Sequence, residues 1–169
     1  CNPNIPSEEV FTTPHALSVE GHVSSTKPLS HQGTLIDNIR VIFEKGTITE
    51  AKATKGETVL NKVLDSDEGA RRLGEVALVP NSSPISKSGL LFYNTLFDEN
   101  AACHIALGQC YSKCFKGEKN LSASEISSKG GNSSMIHIDW MIGSGEIDID
   151  GFGKNGEIVP IFRKGEWVD

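Results

Sequence analysis

No segment of this sequence approaches the roughly 20 consecutive apolar residues that a membrane-spanning helix needs, so we expect no membrane protein. Basic residues are in deficit: 16 Lys and Arg stand against 22 Asp and Glu, and the net charge is −6 at pH 7. Nucleic acid is therefore not an expected partner, because phosphate binding depends on clustered Lys and Arg. The polar start, rich in Pro and Asn, lacks the pattern of a secretory leader. We expect a cytoplasmic location.

Cysteine is also scarce, and its spacing is uninformative. The four cysteines are Cys1, Cys103, Cys110 and Cys114. Their spacing matches none of the short paired-Cys zinc motifs. Reduced, partly buried thiols are the favoured interpretation, and a structural zinc held by the last three cysteines with His104 is the rival.

The length of 169 residues predicts one domain, and the start at Cys1 rather than Met suggests the C-terminal portion of a longer chain. Residues 1–15 are predicted to be extended or looped, since they contain three prolines. Strands are predicted over residues 19–26, 35–44, 47–53, 76–79, 135–142, 147–150 and 158–162, with a last pair around Trp167. A hairpin turn is expected at Lys45-Gly46.

Helices are predicted in four places, at residues 56–64, 67–73, 98–107 and 123–127. Gly74 is expected to stop the second helix, which would leave Glu75 at a helix-to-strand junction. The fold class is α+β: a mixed, largely antiparallel sheet with β-hairpins and a few helices.

The strand over residues 135–142 carries the sharpest chemical signal. Side chains alternate along a strand, so His137 and Asp139 project from one face and Ile136, Ile138 and Trp140 from the other. A rigid His–Asp pair of this kind suits metal ligation, and the plainer alternative is a surface ion pair.

Further candidates lie in the predicted helix at 98–107 and just beyond it. Glu99 and His104 can reach one centre from different angles if Glu99 sits in the first turn. The alternative for His104 is a satisfied core histidine. Tyr111 follows His104 by seven residues, two turns of a continued helix, where a phenol can stabilise an oxyanion; an ordinary surface tyrosine is the duller possibility.

Two more carboxylates stand directly before apolar segments. Glu9, next to Glu8, precedes Val10, and Glu75 precedes the strand at 76–79. Burying such an acid becomes favourable when a cation neutralises it. Six side chains then form one candidate set: Glu9, Glu75, Glu99, His104, His137 and Asp139. Mixed carboxylates and imidazoles suit divalent cations of the zinc, cobalt or manganese type, which indicates hydrolysis.

Taken together, these segments resemble the C-terminal catalytic half of the thermophilic-aminopeptidase family of metallopeptidases, the aminopeptidase T and S type. The resemblance is carried by residues 4–12, 68–79, 92–104 and 136–139 and by the terminal Gly-Glu-Trp-Val segment. It covers nearly the whole chain in several long ungapped strings.

The resemblance implies a two-domain metallopeptidase, of which residues 1–169 are the catalytic metal-binding domain. It implies two divalent ions (zinc, cobalt or magnesium) bound by the six side chains, Tyr111 at the metals, peptide substrates and a homodimer of the full-length protein. In the resulting hypothesis Glu75 bridges the metals, Tyr111 stabilises the oxyanion, and Glu8 or Glu99 is the general base. Binding of the peptide's free α-amine at one metal would restrict cleavage to the chain end.

Two rival functions come from other classes. A non-catalytic, metal-stabilised binding domain would use the same ligands in a closed site. An esterase or amidase would use Cys103 or Cys110 with His104, although neither cysteine lies in a recognisable nucleophile motif.

Overall fold

The structure is a computed structural model that describes residues 8–116 and 121–168. The strands are β1 Val10–Thr12, β2 Gly21–Ser24, β3 Leu29–His31, β4 Thr34–Ile36, β5 Arg40–Glu44, β6 Thr47–Lys52, β7 Leu73–Leu78, β8 His104–Gly108, β9 His137–Met141, β10 Ile149–Phe152, β11 Ile158–Arg163 and β12 Glu166–Trp167. The helices are α1 Glu57–Leu64, α2 Pro84–Ser88, α3 Thr95–Asp98 and α4 Ala123–Ser128, with 3-10 turns at Glu68–Arg71, Glu99–Ala101 and Ser112–Cys114. The α+β prediction is confirmed.

The central element is a four-stranded sheet in the order β1-β7-β8-β9. All three of its pairings are antiparallel. Strand β8 is one of the two inner strands, with β7 and β9 paired to its two edges. All of its residues are buried. Ile105 and Leu107 of this strand point into the core, which leaves the other face of the sheet for His104 and Ala106.

A second sheet, in the order β2-β5-β6, packs near the apolar face of the first. The predicted hairpin at Lys45-Gly46 is confirmed, and both residues have positive φ, 49° and 79°. A side chain at Gly46 would collide with the Ala16 carbonyl, so this position requires glycine for space as well as conformation. The core between the two sheets and α1 contains Leu29, Ile36, Ile39, Val41, Phe43, Ile48, Leu60, Leu64, Leu73, Ile105, Leu107, Ile138 and Trp140.

The first and last predicted helices form, and the second forms only in part. Helix α1 forms as expected, with Leu60 and Leu64 buried. Helix α4 matches the predicted short helix, and it begins with a capping box between Ser122 and Glu125. The segment at 67–73 forms only a 3-10 turn, capped by the Asp67 side chain. No helix among the described residues is long and apolar enough to cross a membrane.

The predicted helix at residues 98–107 is wrong. Asp98 ends α3, Glu99–Ala101 is a 3-10 turn, and residues from His104 onward form β8. The small apolar residues of this segment are compatible with either structure, and pairing with β7 and β9 on both sides decides for the strand. Tyr111 therefore follows β8 in a loop and is not placed two helical turns beyond His104.

Two strand boundaries also need correction. Gly74 does not stop a helix but lies inside β7, and Glu75 belongs to that strand instead of a junction before it. A side chain on Gly74 would meet the Gln109 and Gly108 carbonyls, which is why the strand passes there only as glycine. The single strand predicted at 35–44 is two strands, β4 and β5, separated by Asn38 with φ of 50°. Residues 1–7, including Cys1, and residues 117–120 lie outside the described residues.

Candidate metal centre

The four-stranded sheet brings three of the predicted side chains into one cross-strand neighbourhood. Glu75 of β7 lies opposite Ala106 of β8, and Ala106 lies opposite Asp139 of β9. His104 pairs with Ala77 on one side, so it stands two residues along β8 from Ala106 on the same face. The methyl side chain of Ala106 leaves space between the two carboxylates. On this face of the sheet, an acidic side chain therefore lies on each side of the small Ala106 side chain.

The remaining candidates are His137, Glu9 and Glu99. His137 is the first residue of β9, two residues from Asp139. Glu9 immediately precedes β1, and Glu99 opens the 3-10 turn after α3. The structure thus brings the six residues together from four separate segments of the chain. Their donor atoms form three groups, each with all atoms within 4.8 Å of one another: Glu9, Glu75 and His104; Glu75, His137 and Asp139; Glu99, His104 and Asp139.

Two histidine–carboxylate pairs give the centre its close contacts. His104 Nε2 lies 3.1 Å from Glu9 Oε2. His137 Nε2 lies 3.3 Å from Glu75 Oε2 and 3.3 Å from Asp139 Oδ1. Nε2 of both rings and Glu9 Oε2 are shielded from solvent, yet none of the three is aligned for a hydrogen bond with a described residue. Buried donor atoms that converge in this way without aligned hydrogen bonds suit a shared cation.

Backbone carbonyls fix the orientation of both imidazoles. His104 Nδ1 is 3.1 Å from the Ala102 carbonyl oxygen, and His137 Nδ1 is 2.7 Å from that of Gln109. A carbonyl only accepts, so each Nδ1 carries the proton and donates it. In the neutral ring Nε2 then holds the lone pair and faces the carboxylates. This is the arrangement that metal-binding histidines use.

The centre is buried, and burial destabilises the charged form of its acids. Glu75 is 2% exposed, His104 1% and Asp139 8%. Burial raises the pKa of Glu75, although the neighbouring His137 opposes the shift. Burial alone would lower the pKa of His137, but the Asp139 and Glu75 carboxylates outweigh it and raise the value to about 10. His104 shows the same balance: burial lowers its pKa, and Glu9, Asp139 and the Ala102 carbonyl together raise it above its ordinary value. The two histidine shifts reflect the surrounding carboxylates, whose charge a divalent cation would neutralise.

Tyr111 lies at the rim of the centre. Its ring packs against His137 with a centroid separation of 4.8 Å and against Phe11 at 5.5 Å. Burial of the phenol, together with the nearby acids, raises its pKa above its ordinary value, so the hydroxyl keeps its proton at physiological pH. A protonated phenol at this position is a hydrogen-bond donor. The structure brings Tyr111 into contact with the candidate ligand His137, although the helical spacing that suggested its place was wrong.

Glu8 occupies a different position from the other acids. Its backbone N–H donates to Asn100 Oδ1 at 2.8 Å. Its carboxylate belongs to none of the three donor groups found among the described residues. The structure therefore places Glu8 beside the centre through its backbone.

The cysteines take no part in the donor groups of the described chain. Cys103, Cys110 and Cys114 are free. The Cys103 thiol donates to the Val79 carbonyl oxygen and burial raises its pKa, which opposes a nucleophilic thiolate. The rival zinc site and the cysteine esterase thus lack geometric support.

Three supporting features were missed in the sequence. The carbonyls of Ala102 and Gln109 and the side chain of Asn100 hold candidate ligands in place. A backbone carbonyl has no residue signature, and Asn100 sits in a polar Asp-Glu-Asn string in which its spacing reveals nothing.

The chain is similar in both sequence and structure to proteins of one kind. A family profile described as thermophilic metalloprotease (M29) matches residues 1–167. The chain is 55% identical over 168 residues to aminopeptidase T of Thermus aquaticus and 52% identical over 165 residues to aminopeptidase AmpS of Bacillus subtilis. These matches cover 99% and 98% of this chain but only 41% and 40% of the relatives.

A solved structure, wild-type AmpT from Thermus thermophilus, superposes with a TM-score of 0.93 at 53% identity, covering 100% of this chain and 41% of that one. The chain thus spans about two fifths of the length of the curated relatives it matches. With the family profile matching nearly every residue, the chain belongs to the thermophilic metalloprotease (M29) family.

Proposed function

We propose that this chain is the catalytic metal-binding domain of a metal-dependent aminopeptidase, which removes N-terminal residues from peptides. The observation that carries the proposal is the convergence of buried donors without hydrogen bonds: Nε2 of His104 and of His137 and the Glu9 carboxylate. Family membership and the relatives named aminopeptidases support the same conclusion. We further propose that the longer protein is a cytoplasmic homodimer.

Two divalent ions fit the donor set better than one. Glu75 belongs to two of the three groups, with Glu9 and His104 on one side and His137 and Asp139 on the other. A carboxylate has two oxygens and can serve both sides, so Glu75 is the proposed bridging ligand. Glu99 adds a further carboxylate beside His104 and Asp139. Zinc, cobalt and magnesium are the candidate ions. When bound, such ions supply Lewis acidity and an acidified water near neutral pH.

Tyr111 is proposed to donate a hydrogen bond to the oxygen of the scissile carbonyl as negative charge develops there. Its raised pKa keeps the donor proton in place, and packing against Phe11 and His137 fixes the ring direction. A fixed donor of this kind is worth more in a site with little water than in solution.

Glu8 is proposed as the general base that takes the proton of the attacking water, with Glu99 as the alternative. Glu99 is a member of a donor group, which makes it a better ligand than base. Glu8 precedes the proposed ligand Glu9, and its backbone N–H donates to Asn100 Oδ1 at 2.8 Å. Its carboxylate lies outside the donor groups of the described chain. A base must be near the metals without being consumed as a ligand.

The test uses the full-length protein. We expect elemental analysis to find divalent metal, and hydrolysis of a leucyl-anilide substrate to disappear on chelation and return when metal is added back. His104→Ala and Asp139→Ala should lose both metal and turnover, because each removes a side chain shared by two donor groups.

The matched control is His22→Ala, an exposed histidine on β2 in the other sheet, which should retain both properties. Full metal content in His104→Ala and Asp139→Ala would reject the ligand assignment. Metal retention without any peptidase activity in the wild type would instead favour a metal-stabilised binding domain.

A further inference from the structure

One buried side chain joins two ligand-bearing segments that are far apart in sequence. Asn100 has no exposed surface, and it follows Glu99 directly. Its Oδ1 accepts a hydrogen bond of 2.8 Å from the backbone N–H of Glu8, 92 residues away. Its Nδ2 donates to the Leu96 carbonyl oxygen at 3.2 Å in the preceding helix α3. We propose that Asn100 is a positioning residue that holds Glu9 and Glu99 in register for metal binding. The inference rests on the proposed function.

The amide orientation of Asn100 is fixed by its partners. The Glu8 N–H only donates, so the atom facing it must be the oxygen. The Leu96 carbonyl only accepts, so the atom facing it must be the nitrogen. Both ends of the amide are therefore matched, and an apolar residue at this position would leave the Glu8 N–H without its partner.

Glu9 depends on this bond because of where it lies. On its C-terminal side β1 begins at Val10, which pairs with Leu78 of β7. On its N-terminal side the Asn100 amide holds the Glu8 N–H. Glu9 is thus fixed from both directions, with its carboxylate aimed at His104. Loss of the Asn100 bond would leave Glu9 attached through β1 alone.

The same turn contains a second buried hydrogen bond that serves as a control. The Ser83 hydroxyl donates to the backbone carbonyl oxygen of Asn100 at 2.9 Å. Like the Asn100 side chain, it is buried and holds this turn in place. Unlike the Asn100 side chain, the Ser83 hydroxyl makes no hydrogen bond to Glu8 or Glu9 among the described residues. Removing either group weakens the turn, but only Asn100→Ala releases Glu9.

The experiment measures metal affinity of the full-length protein by Zn²⁺ competition with a chromogenic chelator, and it follows the fold of the metal-free forms by circular dichroism. We expect the dissociation constant for Zn²⁺ to rise about 10- to 100-fold in Asn100→Ala, the range found when residues that orient metal ligands are removed. Ser83→Ala should keep the wild-type constant. Asn100→Asp keeps an oxygen that can accept the Glu8 N–H, so its affinity should lie above that of Asn100→Ala.

The outcomes separate this inference from the proposed function. If the wild type takes up no metal, the proposed function itself fails. If the wild type binds Zn²⁺ and Asn100→Ala binds it equally well, the role of Asn100 is rejected while the metal centre stands. An equal loss of affinity in Asn100→Ala and Ser83→Ala also rejects it, because general loosening of the turn would then explain the effect. Should Asn100→Ala not fold, Glu8→Pro, which removes the donor N–H, is compared with Glu8→Ala, which keeps it: a weaker Zn²⁺ affinity in Glu8→Pro alone supports the role of this bond, and equal affinities reject it.

Discussion

The two principal sheets of this domain follow the same alternation but treat their polar faces differently. In β5 of the three-stranded sheet, Val41 and Phe43 are buried and Arg40 and Glu44 are exposed, as in an ordinary amphipathic strand. In β8 of the four-stranded sheet both faces are buried. One face of the sheet joins the apolar core, and the other carries the buried Glu75, His104 and Asp139 beside the partly exposed His137.

The difference points to the proposed functional face independently of any relative. Polar residues on a solvated face need no partners, because water satisfies them. Buried carboxylates are unfavourable unless an opposite charge compensates them. On the four-stranded sheet two histidines offer part of that compensation, and the neighbouring carboxylates raise the pKa of both. The donor groups contain four acids against these two histidines, so the acids exceed the available positive charge. Cations complete the balance under the proposed function.

The strongest test replaces one acidic residue on each sheet with alanine. Glu75→Ala removes the carboxylate shared by two donor groups, whereas Glu50→Ala removes an exposed acid from β6. We expect Glu75→Ala to lower metal affinity by more than the roughly 10- to 100-fold seen for residues that only support ligands. Peptidase turnover should fall with it, and Glu50→Ala should leave both unchanged. Elemental analysis and steady-state kinetics measure the two effects, and equal metal content in the two variants would remove the distinction drawn between the sheets.

The second test addresses the rim of the buried polar face. Tyr111→Phe keeps the ring that packs on Phe11 and His137 and deletes only the hydroxyl. We expect kcat to fall roughly 100- to 1000-fold, the effect of losing one oxyanion donor, with metal content unchanged. A similar kcat in Tyr111→Phe and the wild type would assign the ring a packing role alone.

The sequence predicted the polar strand of this site better than its surroundings. Alternation along β9 placed His137 and Asp139 on one face and Ile138 and Trp140 on the other, as the structure has them. The signal was strong because large apolar residues alternate strictly with polar ones. In residues 98–107, which lead into and include most of β8, the small residues Ala101, Ala102 and Ala106 carried no comparable period, and a helix was predicted where tertiary pairing produces a strand.

Convergence of the distant acids was beyond any local pattern. Glu9 and Glu99 lie outside the strands that carry the other candidates, and no spacing rule relates them. Glu99 was grouped with His104 on a predicted helix that does not form, and Glu9 was added by residue type and by the family resemblance. No local pattern contains the contacts that bring these residues together. The bond between Asn100 and Glu8 explains why: a contact over 92 residues depends on the whole fold. Sequence reasoning therefore found the residue types, and the tertiary structure was needed for their supports.

The third test contrasts the two faces of a single strand. Ile138 lies between His137 and Asp139 but points into the apolar core. We expect Ile138→Ala to lower the free energy of unfolding by about 2–3 kcal/mol, toward the lower end for core truncations because the residue is not fully enclosed. The metal content of the folded variant should stay at the wild-type value. Denaturant unfolding and elemental analysis provide the measurements; metal loss at full stability would mean that the two faces are not independent.

The smallest expected effect concerns Asp67, which ties the 3-10 turn before β7 to the segment that leads into β9. The N–H of Met135 donates to its carboxylate at 2.7 Å, and this bond, with those from Ser134 and Ala70, lowers the pKa of Asp67. A lowered folded-state pKa means that the ionised form stabilises the fold above the unfolded value of about 3.9, and that this contribution is lost as pH falls through the folded value.

We expect Asp67→Asn to cost about 0.5–1 kcal/mol at pH 7, since the carboxylate is largely solvated and the amide still offers one acceptor oxygen. The difference from wild type should shrink as pH falls from about 4 towards the lowered pKa of folded Asp67, because protonation removes the charged acceptor that the Asp67→Asn variant lacks at every pH. Urea unfolding of the metal-free proteins at pH 7 and pH 3 checks this. Because Asp67 lies outside the donor groups of the described residues, metal affinity at pH 7 should not change. A difference that persists undiminished at pH 3 would show that the Asp67 bonds do not depend on its charge.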